Sequence, residues 1–169
     1  MTQKQKRANL VHPLPPLYDE NSKVLILGSF PSPKSREALF YYGHKQNRFW
    51  PTLSAVLGQD LPTDNNGKKQ MCLKHGIAIW DTLKSCQIIG ASDSSIRNHL
   101  PNDLSPILKT ASIKAIFTTG TTAHALYNKF LKEKTGLTAT AMPSTSAANG
   151  RYNREDLIIC YQQILSYLK

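Results

Sequence analysis

The amino-acid sequence predicts an α/β domain with a mainly parallel four-stranded sheet and helices on both faces. Three observations predict it. Short apolar runs alternate with segments of helical periodicity, the order that right-handed crossovers turn into a parallel sheet. The first run, Val24–Leu27, is apolar without alternation and stops at Gly28, as a strand covered on both faces would. The length, 169 residues, suits a single domain around one sizeable core.

Residues 1–22 read as an extended arm and residues 23–169 as the one domain. In the arm, Lys4, Lys6 and Arg7 precede a proline-rich stretch from His12 to Leu17, whose prolines fix the backbone and remove donors. After the Val24–Leu27 strand, residues 47–56 read as a helix, with Pro51 tolerable in its first turn. Asp64 or Asn65 caps a helix through Lys74, and Gly76 stands just past its end. Ile77–Trp80 is the second strand. A helix from Leu104 to Thr110 follows Asp103 and takes Pro106 in its opening turn. Ala115–Thr118 is the third strand, and Thr121 or Thr122 opens a helix to about Leu131. Thr138–Met142 is the fourth. Asn153 caps a final helix whose Leu157, Ile158, Tyr161, Ile164, Leu165 and Leu168 share one face. All four strands then end on one edge, where such sheets bind ligands. The loops at that edge are GSFPSPKS, DTLKSC, GTTAH and PSTSAANG.

Composition narrows the function. Lys plus Arg is 21 and Asp plus Glu is 11, so the net charge of +10 suits a polyanionic partner. No apolar run approaches the roughly 20 residues that span a bilayer, and no signal-like apolar stretch follows the basic start. Cys72, Cys86 and Cys160 form no close pair, which fits reduced thiols in the cytoplasm. The five histidines are scattered without ligand spacing, so no metal is expected.

Two stretches carry most of the chemistry. Tyr41–Trp50, YYGHKQNRFW, gathers aromatics for stacking, an amide with both donor and acceptor, and Lys45 and Arg48 to meet phosphate. Phe49 and Trp50 read as core; Tyr42, His44 and Asn47 do not. Met142–Arg154 is a loop of small polar residues whose hydroxyls and amides, with Arg151 and Arg154, suit a phosphate backbone. Gly28–Ser35 lets backbone amides approach a ligand, yet matches neither phosphate-binding glycine pattern. Asp81 and Asp93 fall near the same edge, each a general base or a helix cap, with capping preferred for Asp93.

In order, VLILGSFPS, YYGHKQNRFW, GIAIWDTLKSC with GASDSSIRN, AIFTTGTTAHALY and MPSTSAAN resemble the uracil-DNA glycosylase superfamily, closest to its hypoxanthine-DNA glycosylase branch. The resemblance runs from about His12 to the C terminus. It implies a three-layer α/β/α sandwich and a monofunctional glycosylase, without cofactor, that flips a deaminated base from double-stranded DNA and hydrolyses its glycosidic bond. Hypoxanthine is the first candidate base and uracil the next. Gly28, Ser29, Phe30 and Pro31 would face the base, Tyr42 would stack on it with His44 beside it, and Asn47 would be catalytic, its side-chain oxygen orienting water. Lys45, Arg48, Ser144, Thr145, Ser146, Asn149 and Arg151 would hold DNA. Two departures stand out. No carboxylate or amide occurs from Ser29 to Lys34, where many members position water, and three cysteines cannot supply the four ligands of the iron–sulfur branches. A monomer is expected. The alternatives are a catalytically silent DNA-binding member and a nucleotide-binding small-molecule hydrolase.

Overall fold

A computed structural model of the chain describes residues 7–169; Lys4 and Lys6 of the expected arm lie outside the described residues. The chain opens with β1 (Ala8–Val11), β2 (Val24–Gly28), α1 (Pro33–Ala38), α2 (Phe49–Val56), α3 (Asn65–Lys74) and β3 (Ile77–Asp81). It continues through β4 (Leu83–Ile89), β5 (Ser92–Pro101), α4 (Ser105–Thr110), β6 (Ala115–Thr119), α5 (Thr121–Phe130), α6 (Lys132–Thr135), β7 (Ala139–Met142) and α7 (Arg154–Tyr161), closing with a 3-10 turn, Gln162–Tyr167.

The expected sheet is present, four strands in the order β3-β2-β6-β7 with every pair parallel. Strand periodicity divides the core between its faces. Val24 and Ile26 point to one face and pack with Phe49, Leu53, Leu157 and Tyr161 from α2 and α7. Leu25 and Leu27 point to the other and pack with Leu104, just before α4, and with Ile107 and Tyr127 from α4 and α5. All four β2 side chains are fully buried, each worth roughly 1.5–3 kcal/mol against exposure. The result is a three-layer α/β/α sandwich.

Local signals set the boundaries. The Asp64 side chain accepts from Gly67 N at 2.7 Å and opens α3, while Gly76 takes φ +76° just past its end. Asn153 opens α7 through a capping box with Asp156. The last apolar stripe divides between α7 and the 3-10 turn; Leu157, Tyr161 and Ile164 are buried, and Leu165 is exposed.

A second, antiparallel sheet was not expected. Its strands run β1-β4-β5, and beneath it Leu83, Cys86, Ile88 and Ile96 pack with Phe30 and Leu126 in a small separate core. The stretch set apart as an arm therefore contributes β1, and beyond it Leu14 and Leu17 are buried in the main core. Leu17 also exchanges backbone hydrogen bonds with Ile79, both 2.9 Å. Among the described residues, no helix is long and apolar enough to cross a membrane.

Candidate functional site

From β3 the chain moves to β6, on the opposite side of β2, so strand connections diverge around the centre of the sheet. Open α/β sheets bind ligands at such a switch point. Here a cleft of about 350 Å³ lies at the carboxyl ends of all four parallel strands, lined by Gly28–Ser32, Asp81, Thr119 and Ser144. Tyr42, His44, Gln46 and Asn47 form one wall, while Ile88, Ala91 and Asp93 from the antiparallel hairpin form another.

Gly28 and Asp81 are paired across β2 and β3. A Cβ on Gly28 would stand 2.5 Å from Asp81 Oδ1, 3.5 Å from the Tyr42 hydroxyl and 3.6 Å from Thr119 Oγ1. Three polar side chains thus converge over one glycine, which is why no side chain fits there. Asp81 is 5% exposed, and its Oδ2 accepts from His12 Nε2 at 2.7 Å. His12 Nδ1 in turn accepts from Leu14 N at 3.1 Å, so the imidazole proton sits on Nε2 and the ring is neutral. The carboxylate has a donor but no cationic partner in this pair.

Tyr42 is a platform. Its ring stacks on Phe49, centroids 3.8 Å apart and planes 12° from parallel, leaving one face for the cleft that the ring lines. Its hydroxyl lies 3.2 Å from Thr119 Oγ1. The backbone at Tyr42 is left-handed, φ +51°, which costs a side-chain-bearing residue about 1–2 kcal/mol. Burial first, then the Asp81 charge, pushes both the Tyr41 and Tyr42 phenols above their usual range, so both stay protonated.

Asn47 lines the cleft, but its oxygen is already engaged. Asn47 Oδ1 accepts from Phe49 N at 2.9 Å and from Thr145 Oγ1 at 2.8 Å. Both partners are donors toward it, which fixes the amide orientation. With both Oδ1 lone pairs used, the side-chain NH2 is the group left without a partner among the described residues, and the expected orienting of water by the oxygen would need one of these two bonds to give way.

Several residues expected on DNA have a part in building the loop after β7. The Arg48 guanidinium donates to the carbonyls of Ser146, Asn149 and Tyr152, so it clamps the loop. Thr145 is 1% exposed and is spent on Asn47. Asn149 Nδ2 donates to Ser144 O at 2.9 Å, tying the loop to itself. Ser144 and Ser146 line the cleft, with each hydroxyl accepting a backbone N–H two residues on. Lys45 and Arg151 are exposed, as phosphate contacts would have to be. Of the residues expected to face a base, Gly28, Ser29, Phe30, Pro31, Tyr42 and His44 all line the cleft. Phe30 is also buried in the small core, edge-on to His12.

His12 and the arrangement of Asp93 were not anticipated. Asp93 caps no helix; it sits near the β4–β5 turn, and Ser29 Oγ donates to it, 3.0 Å from both carboxylate oxygens. Desolvation pushes its carboxyl above the usual range, and the Asp81 charge adds to this against the lowering effect of the Ser29 bond. Nothing in the sequence joins Ser29 to Asp93 across 64 positions. The paired HPLPPL and WDTL segments could at most have suggested His12 with Asp81. Among the described residues, no group of three His, Cys, Asp or Glu side chains is placed to hold a metal.

Fold and cleft together define an α/β protein with a polar pocket at its switch point, an aromatic platform on one side and a carboxylate on its floor. The family model of the uracil DNA glycosylase superfamily matches residues 15–166, and the chain belongs to that superfamily. It is 34% identical over 142 residues to a protein of Methanosarcina acetivorans named hypoxanthine DNA glycosylase, an alignment covering 83% of this chain and 89% of the relative. A protein of the same name from Methanosarcina barkeri is 40% identical over 96 residues, 56% of this chain and 60% of the relative. A solution NMR structure of a candidate uracil DNA glycosylase from Methanosarcina acetivorans matches with a TM-score of 0.76 at 27% identity, covering 91% of this chain and 98% of that one.

Proposed function

We propose that this chain is a monofunctional DNA glycosylase that flips a deaminated base, hypoxanthine foremost, out of a duplex and hydrolyses its glycosidic bond. The observation that carries the reading is the floor of the cleft: a buried carboxylate, Asp81, one oxygen held by a neutral histidine. A carboxylate only accepts. Deamination turns the bare N1 of adenine, or N3 of cytosine, into an N–H. An acceptor on the floor pairs with that N–H, whereas a bare ring nitrogen there would set acceptor against acceptor. Sites built around a substrate N–H reject analogues lacking it by as much as roughly 10⁴–10⁵.

The remaining groups fit this chemistry. Extruding a nucleotide costs a few kcal/mol, least when it is mispaired, and stacking on the open face of Tyr42 would return about 1–3 kcal/mol. As the bond to C1′ breaks, negative charge grows on the base. The Asn47 NH2, its orientation fixed through Oδ1, can donate to that charge. Lys45 and Arg151 would meet the phosphates. Water, and no enzyme amine, takes the C1′ position, so no Schiff base forms.

The test is base release from matched duplexes carrying one deoxyinosine, deoxyuridine or deoxyxanthosine, or no lesion, with alkali used to cleave the abasic product. Cleavage confined to lesion strands, strongest for deoxyinosine, is expected. Binding without release from any duplex would assign instead a silent DNA-binding member of the superfamily. A borohydride-trapped crosslink would overturn the monofunctional part.

A further inference from the structure

Hydrolysis needs a group that accepts a proton from the attacking water, and most acceptors in the cleft are occupied. Asn47 Oδ1 takes two donors. Asp81 Oδ2 takes the His12 proton, and Oδ1 lies against Gly28 on the floor. His44 Nδ1 accepts from Gln46 N at 3.1 Å, so a neutral His44 carries its proton on Nε2 and can only donate there. Among the described residues of the lining, two ionisable acceptors keep lone pairs free: Asp81 through Oδ1, which the glycosylase reading gives to the base N–H, and Asp93. Asp93 receives a single donor, the Ser29 hydroxyl, out of the roughly four hydrogen bonds a carboxylate can accept.

Resting on the glycosylase reading, we infer that Asp93, held at the cleft by Ser29, is the general base that deprotonates the attacking water. The antiparallel hairpin thus supplies a carboxylate that the loop after β2 lacks, since residues 29–34 carry none. The step balances. The bond between C1′ and the base breaks with its electron pair leaving on the base, which is then protonated from solvent. The water oxygen bonds to C1′, and its proton passes to an Asp93 oxygen and from there to solvent. Two carboxyl groups in one cleft with different surroundings can take different roles. Asp81 is held by His12 to read the base, and Asp93, at the hairpin, serves water.

A base of this kind must be ionised to act. Titratable groups facing Asp93 are Asp81 from β3 and the Cys86 thiol from β4, with Arg36 of α1 acting on that thiol. Asp93 is exposed as a residue, but desolvation on its cleft side, with the Asp81 charge and against the lowering Ser29 bond, raises its carboxyl, so excision should fall as pH drops through a midpoint above the usual carboxylate range of about 3.9.

The experiment is single-turnover release from a deoxyinosine duplex by the wild-type chain, Asp93→Asn, Asp93→Glu and Ser29→Ala, followed from acid to neutral pH. Asparagine keeps an acceptor for Ser29, so Asp93→Asn removes charge without unpinning the hairpin. Expected are about a 10²-fold slower rate and loss of the acid limb in Asp93→Asn, with duplex affinity retained. Partial recovery of rate and limb is expected in Asp93→Glu, and a limb moved to higher pH in Ser29→Ala. A rate within twofold of wild type, or a slow rate with the acid limb intact, overturns the inference. If Asp93→Asn fails to fold, the Asp93→Glu and Ser29→Ala profiles decide, and two unshifted acid limbs overturn it. Absence of release by the wild-type chain overturns the glycosylase reading itself and this inference with it.

Discussion

Replacing Gly28 by alanine adds one methyl group at the point where the floor of the cleft is tightest. The backbone there is not left-handed, so alanine carries no conformational penalty and would by itself stabilise the chain by about 0.4–1 kcal/mol through the unfolded state. The contact works in the opposite direction. A Cβ 2.5 Å from Asp81 Oδ1 is about half an ångström inside the closest approach real Cβ atoms make. Oδ1 cannot retreat freely, because Oδ2 is fixed by His12 at 2.7 Å and the residue is 95% shielded. Relief means moving β2 against β3 or losing the His12 bond, and overpacking of this type costs about 1–3 kcal/mol. The net expectation is about 1 kcal/mol of destabilisation, or roughly 2–4 °C in Tm for a chain of this length. Excision should fall further, to about a hundredth, since a displaced floor misplaces the base. Urea melts with single-turnover excision measure both. Combining Gly28→Ala with Asp81→Ala should recover at least about 1 kcal/mol relative to additivity. A Gly28→Ala chain as stable as wild type, or a purely additive double variant, would refute the packing argument.

Asn47→Asp keeps the acceptor that holds Phe49 N and Thr145 but replaces the NH2. It should fold like wild type and lose about 10²–10³-fold in single-turnover excision; near-wild-type excision would remove the NH2 from the mechanism. Arg48→Ala should destabilise the chain by about 3 kcal/mol in urea melts, because three loop carbonyls lose a charged donor. Arg151→Ala should leave stability alone and flatten the salt dependence of duplex binding by about 0.9 in log–log slope; an unchanged slope would count against a phosphate contact. Burial pushes the Cys72 thiol up to about 12 and the Cys86 thiol up to about 11. A thiol reagent at mildly alkaline pH should therefore modify half-buried Cys160 first, and prior reaction at Cys72 would show that its surroundings open.

What the sequence made legible was periodicity and punctuation. The four parallel strands, the Asp64 and Asn153 caps and the stop at Gly76 rest on signals a few residues long, and the structure carries each of them. The second sheet was hidden because it breaks the patterns. Along β5 only Ile96 is buried, so Ser92–Pro101 reads as a polar loop, and β4 shifts register repeatedly against it. α1 was hidden too: it has six residues, beginning at a proline behind the Ser32 cap. In the site, residue types were legible and directions were not. Arg48 looked like a phosphate ligand beside aromatics, but its carbonyl partners lie 98 to 104 residues away. Asn47 was found, but which end of its amide is free depends on Thr145, 98 positions along the chain.

Charge is also arranged in a way that composition conceals. The chain carries +10 overall, yet among the described residues the cleft is lined by two carboxylates and by no lysine or arginine. The cations flank it: Lys45 lies between the lining residues His44 and Gln46, and Arg151 three positions beyond Ala148. A binding module for phosphate would place its cations inside. An exposed cationic border around an anionic interior instead suits a ligand whose backbone is negative and whose reacting sugar becomes positive, because each half of the charge pattern meets its opposite. The two halves should then separate experimentally. Neutralising Lys45 or Arg151 should weaken duplex binding and its salt dependence while leaving the single-turnover rate at saturation unchanged. Neutralising Asp93 should do the reverse.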